Sequence, residues 1–144
     1  MFDNWLHSAA PVIGEVYMMN FTGSNHGQMG WRPGVVLQNN VGNLHSPNVI
    51  ALPLTSVIKK VHLPTHVIVL AADSGLPKDG MVLCENPETM PKARMGQYLA
   101  KLSDELMKEI AIASLLATAS MSFLDEEALL AVRREAIRLN GFTA

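Results

Sequence analysis

The feature that most constrains the fold is a change of sequence pattern near residue 100. Before it, short apolar runs recur about every ten residues and are separated by Gly, Asn, Pro and Asp. This spacing is typical of a small antiparallel sheet or barrel. After it, apolar residues recur at helical spacing. The sequence therefore predicts five or six strands followed by two helices, in one α+β domain. The strands expected are Ile13–Phe21, Gly34–Gln38, Val49–Leu54, Val67–Leu70 and Met81–Cys84.

Two helix starts are predicted in the second half of the pattern. Ser103 combines an N-cap residue with the acids Asp104 and Glu105 in the first turn. Ser122 and Asp125 have the spacing of a capping box, and a helix from about Asp125 to Asn140 follows. The apolar stripes expected to be buried are Leu106, Ile110, Ala113 and Ala117 on the first helix, and Leu129, Val132, Ala136 and Leu139 on the second.

Composition excludes several classes of protein. With 144 residues, 49% of them hydrophobic and 17% charged, the chain can bury a core and does not resemble a disordered one. The single cysteine, Cys84, excludes a disulfide scaffold and is expected to be buried on a strand. The N-terminal residues lack the pattern of a secretory signal, and the uncharged stretch Ile110–Leu124 is too short to span a membrane. The expected compartment is therefore the cytoplasm.

The motifs of common enzyme sites do not occur in the sequence. His62 and His66 have a spacing of four, but Pro64 between them prevents a helix, so they are expected to be loop histidines. No nucleophile elbow, phosphate-binding loop or dinucleotide fingerprint is present. We expect neither a metal nor a cofactor. The net charge of −2 lacks the basic footprint of a general nucleic-acid coat, so a polyanion site would need a few well-placed cations.

Two polar positions remain as candidates for chemistry. Arg32 lies at the base of a glycine-rich loop, Thr22–Pro33, and Pro33 favours an extended backbone at Arg32. Thr55 and Ser56 follow a predicted buried strand. The simpler interpretations stay open at this point: Arg32 pairs with an acid, and the hydroxyls satisfy backbone groups.

The order and spacing of several motifs resemble the MazF/PemK toxin family. The resemblance covers about Ile13 to Ala117. The matching segments are Glu15-Val16-Tyr17, Gly30-Trp31-Arg32-Pro33-Gly34-Val35-Val36-Leu37-Gln38-Asn39, Gly42-Asn43, Ser46-Pro47-Asn48-Val49-Ile50, Pro53-Leu54-Thr55, Leu63-Pro64-Thr65-His66-Val67, Asp79-Gly80-Met81-Val82-Leu83-Cys84-Glu85 and Ser103-Asp104-Glu105-Leu106-Met107.

This resemblance implies an SH3-like (CcdB/PemK-type) small antiparallel β-barrel followed by a C-terminal helix, and a homodimer. It also implies a sequence-specific, metal-independent endoribonuclease of a type II toxin–antitoxin system, inhibited by an antitoxin that occupies the RNA groove. Residues 1–120 would form the endoribonuclease domain. Residues 121–144 would add an extra amphipathic helix to the same globular unit, packed on the barrel, at the dimer interface or against the antitoxin.

By this resemblance the catalytic residues are Arg32 and Thr55. A guanidinium can hold two phosphate oxygens and stays charged, so Arg32 would neutralise the pentavalent phosphorane. The Thr55 hydroxyl would donate a hydrogen bond to a non-bridging oxygen. The expected products carry 2′,3′-cyclic phosphate and 5′-hydroxyl ends.

Two positions depart from the family. Gly27 stands where many relatives have an acid, and we hypothesise that the neighbouring His26 supplies the general base, against the alternative of an exposed loop histidine. Glu88 stands where relatives often have an arginine, which removes a cation from the expected edge of the RNA groove.

RNA recognition is expected to use polar side chains and lysines near this groove. Trp31 is expected either to stack on a base or to belong to the core or dimer contact. The RNA-binding candidates are Asn25, Gln28, Gln38, Asn39, Ser56, Lys59 and Lys60.

Two other classes of function stay open. A CcdB-like toxin that poisons a topoisomerase by binding it would be expected to end in Trp-Gly-Ile, whereas this chain ends Asn140-Gly141-Phe142-Thr143-Ala144. A catalytically degenerate SH3-like binding module would have no need of both Arg32 and Thr55. Their joint presence favours the enzyme.

Overall fold

An antiparallel sheet of seven strands dominates the computed structural model, which describes residues 10–23, 30–58 and 62–141. Within these ranges the strands are β1 (Glu15–Phe21), β2 (Gly30–Val36), β3 (Asn48–Thr55), β4 (His66–Val69), β5 (Gly80–Leu83), β6 (Glu88–Pro91) and β7 (Met95–Lys101). The helices are α1 (Asn40–His45), α2 (Ala71–Ser74), α3 (Asp104–Leu116) and α4 (Glu126–Leu139), with 3-10 turns at Lys92–Arg94 and Ser120–Phe123.

The strand order is β4-β5-β3-β2-β1-β7, and β6 pairs with β3 beside this path. All recorded pairs are antiparallel. The strand β3 is long enough to pair with β2, β5 and β6, so it links the two halves of the sheet. The α+β class predicted from the sequence is confirmed, while closure into an SH3-like barrel stays a prediction.

Each face of the sheet buries its own apolar cluster, because successive strand residues point to opposite faces. The first cluster includes Val35 of β2 and Leu52 of β3, which are register partners, and it also takes in the buried face of α3. The second cluster includes their sequence neighbours Val36 and Ala51, which are also partners. Burial on both faces explains why these strands are continuous apolar runs without strict alternation.

Gly34 allows the second cluster to pack closely against β2. A Cβ at this position would lie 2.7 Å from Met19 Sδ and 2.8 Å from Phe21 Cζ. Both side chains are buried, at 0% and 2% exposure, so little room exists to move them. A glycine here is therefore a packing requirement of the β1–β2 pair.

The helix α3 confirms the prediction made for it. The Ser103 side chain accepts a hydrogen bond from the Leu106 N–H at 3.2 Å, as an N-cap does. Leu106, Ile110 and Ala113 are buried in the first cluster. Ala117, the C-cap residue, is half-buried.

Several elements differ from the sequence-based expectation. The separator after β2 contains the short helix α1, because Asn39 caps it by accepting from the Gly42 N–H at 2.9 Å. The strand β2 begins at Gly30, four residues earlier than predicted, since it pairs with β1 from that point. The strands β6 and β7 gave no signal in the sequence because they are poor in β-branched residues, and their pairing with β3 and β1 defines them.

The last helix has the predicted bounds within one residue, but its cap differs and it buries less than predicted. Asp125 is itself the N-cap, accepting from the Ala128 N–H at 2.9 Å, while Ser122 lies in a 3-10 turn. The capping-box interpretation of Ser122 is therefore wrong. Of the predicted stripe, Leu129 and Leu139 are half-buried, but Val132 and Ala136 are exposed. The first difference arises because an acid three residues after a serine, here Asp125, can itself be the N-cap. The second arises because the apolar stripe of a helix can stay exposed when only the ends of the helix are packed.

The C-terminal end of α4 is hydrogen-bonded to the start of α1. The Asn140 side chain accepts a hydrogen bond from the Asn40 N–H at 3.0 Å, at the start of α1. No helix within the described ranges is long and apolar enough to cross a membrane. The division into residues 1–120 and 121–144 stays a prediction.

Candidate functional site

Arg32 and Thr55 occupy neighbouring strands of the sheet. The recorded β2–β3 pairing runs from Val36 and Ala51 to Gly34 and Pro53. Arg32 and Thr55 each lie two residues beyond the last pair, at the same end of the two strands. Alternate residues of one strand share a face of the sheet, so Arg32 lies on the face of Val36 and Thr55 on that of Ala51. Both candidates thus fall on the face of the second apolar cluster, at the end of the strand pair.

The side chain of Arg32 is held in the sheet at its base. Its backbone partner across β1 is Met19, which is fully buried, and its own Nε atom is buried as well. Arg32 is half-buried as a whole. Burial of Nε encloses the base of the guanidinium group in the protein.

The Thr55 hydroxyl is oriented by a local hydrogen bond. Its Oγ1 accepts from the Val57 N–H at 3.1 Å, two residues later. A hydroxyl has one donor and two acceptor positions, so this bond leaves the O–H of Thr55 able to donate. The simpler interpretation, in which the hydroxyl satisfies a backbone group, is thus correct for the acceptor side and compatible with a catalytic donor.

A cleft of about 230 Å³ opens beside Thr55. One wall is formed by β3 and its exit, including Leu54, Thr55 and Ser56, together with Pro33 of β2. The opposite wall is the segment between α2 and β5, residues 76–80. The cleft therefore lies next to both strands that carry the candidate catalytic residues.

The carboxylate of Glu88 holds the end of β1. It accepts hydrogen bonds from the Thr22 N–H at 3.1 Å, the Thr22 hydroxyl at 2.9 Å and the Gly23 N–H at 3.1 Å. Arg94 Nη1 lies 3.4 Å from the same carboxylate. Burial alone would raise the pKa of Glu88, but these hydrogen bonds and the charge of Arg94 hold it below its ordinary value. Glu88 is thus an anchor for the start of the glycine-rich loop.

Two of the predicted RNA-binding residues, Gln38 and Asn39, use their side chains in hydrogen bonds within the protein. Gln38 is buried, and its Nε2 donates to Asn43 Oδ1 at 3.3 Å and to the Asn48 carbonyl at 3.0 Å. Asn39 caps α1 through its side chain. These contacts give both residues a role in the fold, and their contact with RNA stays a prediction.

The other sequence candidates fall into two groups. Ser56 is exposed and lines the cleft, and Trp31 is 57% exposed on β2, so it is not a core residue. Five candidates lie outside the described residues: Asn25, His26, Gln28, Lys59 and Lys60.

The remaining titratable residues of interest belong to the fold. His66 begins β4, where it receives the Leu63 N–H on Nδ1 at 3.2 Å and contacts Glu85 through Nε2 at 2.9 Å, so it is not a loop histidine. Cys84 is buried as expected, and burial raises the pKa of its thiol to about 11. In the part of the chain that the structure describes, no three His, Cys, Asp or Glu side chains converge as metal ligands would.

Sequence reasoning missed Lys78 in the far wall of the cleft. The segment Leu76-Pro77-Lys78-Asp79-Gly80 has the composition of a turn and was predicted only as a separator between strands. Its proximity to Thr55 comes from the β3–β5 pairing, in which Thr55 faces Met81. No local signal could have indicated that contact.

Comparisons with known proteins agree with this fold. The family model of PemK-like, MazF-like toxins of type II toxin–antitoxin systems matches residues 13–116. The curated endoribonuclease MazF of Staphylococcus saprophyticus is 40% identical over 100 residues, which cover 67% of this chain and 82% of that protein.

Solved structures show the same likeness. MazF from Deinococcus radiodurans has a TM-score of 0.66 and 25% identity, covering 81% of this chain and 99% of that one. A mycobacterial endoribonuclease in complex with its cognate antitoxin has a TM-score of 0.62 and 30% identity, covering 75% and 94%. The fold is thus that of small toxins with an antiparallel sheet. The chain belongs to the family of PemK-like, MazF-like toxins of type II toxin–antitoxin systems.

Proposed function

We propose that this chain cleaves single-stranded RNA at specific sequences, without a metal ion, leaving 2′,3′-cyclic phosphate and 5′-hydroxyl ends. As a member of the PemK/MazF family it is an endoribonuclease toxin, and the proposal adds its chemistry and residues. The observation that supports it best is the pairing of β2 with β3, because Arg32 and Thr55 lie two residues beyond its last pair, at the same end of adjacent strands.

In the proposed reaction the ribose 2′-hydroxyl attacks phosphorus, and the bond from phosphorus to the 5′-oxygen breaks. The Arg32 guanidinium binds two oxygens of the phosphorane and neutralises its charge. The Thr55 O–H, left able to donate by the Val57 contact, donates to a non-bridging oxygen. His26 takes the proton of the 2′-hydroxyl, and the 5′-oxygen receives a proton from a water molecule as it leaves.

The RNA strand is proposed to contact polar and basic residues around these two. Such a contact at Ser56 is supported by its exposed position at the edge of the cleft. The other RNA-binding residues predicted from the sequence are Asn25, Gln28, Gln38, Asn39, Lys59 and Lys60.

We also propose a cognate antitoxin, a homodimeric toxin and a cytoplasmic location. The antitoxin proposal is supported by the mycobacterial relative, which was solved with its own cognate antitoxin. The homodimer is supported by large apolar side chains on the described surface, including Trp31 and Phe123 at 57% and 84% exposure.

Cleavage of a long RNA of mixed sequence in excess EDTA tests the reaction. Discrete cuts with cyclic phosphate and 5′-hydroxyl ends are expected from the unmodified protein. Thr55→Ala should lower the rate by about 10²–10³, while Thr55→Ser keeps the hydroxyl and most of the rate. Arg32→Ala should abolish measurable cleavage, and Arg32→Lys should restore it only in part because lysine binds phosphate as a point charge.

Two further outcomes bear on the proposal. A folded protein that leaves RNA intact would contradict it and favour a protein-binding toxin. A pH–rate profile that is unchanged in His26→Ala would remove His26 as the general base while leaving the roles of Arg32 and Thr55 in place.

A further inference from the structure

The cleft beside Thr55 has an apolar floor and polar groups at its edge. Pro33, Leu54, Leu76 and Pro77 contribute apolar surface, and Thr55 and Ser56 contribute hydroxyls. Its volume of about 230 Å³ is below the roughly 300–1,000 Å³ of pockets that take whole drug-sized ligands. A space of this size and character suits one unit of a longer chain that has an apolar ring and a polar backbone.

Lys78 supplies a positive charge at this cleft. It is exposed, and within the described residues it enters no ion pair. The adjacent Asp79 also lines the cleft, and its Oδ1 is engaged by the Ala71 N–H at 2.7 Å. The ammonium group of Lys78 is therefore available to an anion at the mouth of the cleft.

The wall that carries Lys78 is fixed by local hydrogen bonds. Gly75 ends α2 in the left-handed conformation, with φ of 80°. The Ser74 hydroxyl donates to the Leu70 carbonyl at 2.8 Å and accepts from the Leu76 N–H at 3.1 Å. On the far side Gly80 packs against β3, where a Cβ would lie 2.8 Å from Leu54 Cδ2. A wall held in this way presents Lys78 at a defined position relative to Thr55.

We propose that this cleft is a nucleotide subsite of the RNA groove, in which Lys78 binds a backbone phosphate next to the one being cleaved. The base or ribose of that nucleotide lies on the apolar surface of Pro33, Leu76 and Pro77. This inference rests on the proposed function and extends it, since it assigns a binding role to a residue outside the sequence motifs. Lys78 acts by holding substrate and takes no part in the chemical step.

The test measures how affinity depends on salt, because a lost phosphate contact changes that dependence in a defined way. For single-stranded nucleic acid, each neutralised phosphate contributes about −0.7 to the slope of log affinity against log salt concentration. The probe is a short RNA containing the mapped cleavage sequence, with its 2′-hydroxyls methylated so that it cannot be cut. Lys78→Gln should reduce the slope by about 0.7. The ratio of wild-type affinity to Lys78→Gln affinity should therefore fall by about two- to threefold between 50 and 200 mM salt.

Three controls accompany this variant. Lys78→Arg keeps the charge and should keep the wild-type slope. Lys108→Gln removes an exposed lysine of α3 and should leave both affinity and slope unchanged. In cleavage of the natural RNA, Lys78→Gln should raise KM with little change in kcat, because it removes a contact made equally in ground and transition states.

The outcomes separate this inference from the function on which it rests. If the unmodified protein cuts and binds RNA but Lys78→Gln matches it in slope and KM, the Lys78 subsite is overturned and the endoribonuclease proposal stands. A second result would overturn the binding role of Lys78, namely a Lys78→Gln variant with a lower kcat and an unchanged KM. If the unmodified protein neither cuts nor binds RNA, both fail together.

Discussion

Glu88 is the single residue whose departure from the family has the clearest structural consequence. The sequence suggested the loss of a cation at the groove edge, since relatives often have arginine here. In the structure the carboxylate instead accepts three hydrogen bonds from Thr22 and Gly23 and lies beside Arg94. Glu88 therefore does not supply the cation that relatives often have here. Its carboxylate instead holds Thr22 and Gly23 at the start of the glycine-rich loop.

The lowered pKa of Glu88 predicts how its contribution depends on pH. A carboxyl whose pKa is lower in the folded protein stabilises the fold above its unfolded-state value, about 4.3, and this stability is lost as the pH falls through the folded-state pKa. We expect Glu88→Gln to be less stable than wild type in urea at neutral pH, with the difference shrinking in acid. Glu109→Gln, at an exposed position of α3, is the matched control. A difference that is constant with pH would contradict the anchor as an ionised group.

At the scale of the element, α3 joins the first apolar cluster through a narrow stripe. Two isoleucines on this helix have opposite environments: Ile110 is 0% exposed and Ile112 is 51% exposed. Ile110→Ala should lower the free energy of unfolding by about 2–5 kcal/mol, because it removes buried methyl groups and leaves a cavity.

Ile112→Ala is the matched control on the same helix. It should change stability by less than about 1 kcal/mol, because surface substitutions have small effects. Urea denaturation of both variants measures the difference. Equal losses would mean that the exposed face of α3 is covered in solution, for example by a second copy of the chain.

At the scale of the whole molecule, α4 extends beyond the matched family region. The family model ends at residue 116, and no residue of α4 is fully buried. A chain ending after Ser120 should fold and keep RNA cleavage, with a modestly lower Tm from the loss of the Leu129 and Leu139 contacts and of the Asn40–Asn140 hydrogen bond. Circular dichroism and the cleavage assay check both points. If the shortened chain unfolds, residues 121–144 belong to the core unit.

The oligomeric state is a second property of the whole molecule. Sedimentation equilibrium of the purified chain should give twice the chain mass of 15.7 kDa, because a homodimer would cover apolar surface such as that of Trp31. Trp31→Ser should weaken self-association if this surface forms the interface. A monomer at all concentrations would contradict the homodimer.

Local pattern by itself determined the α+β class, the cap and buried stripe of α3 and the burial of Cys84. Each depends on periodicity or on capping within a few residues, which a sequence displays directly. Local pattern also singled out Arg32 and Thr55 as polar candidates; the resemblance added their catalytic roles, which stay proposals. The anchor at Glu88, the structural contacts of Gln38, and the strands β6 and β7 were decided only by tertiary structure.

Tertiary structure also decided the proposed subsite at Lys78. Thr55 and Lys78 are separated by 23 positions in the sequence, and they meet at one cleft because β3 pairs with β5. Strand pairing brings distant residues together according to register, and register depends on the whole sheet. Sequence therefore determined which residues were available for chemistry, and the sheet determined which of them face the same space.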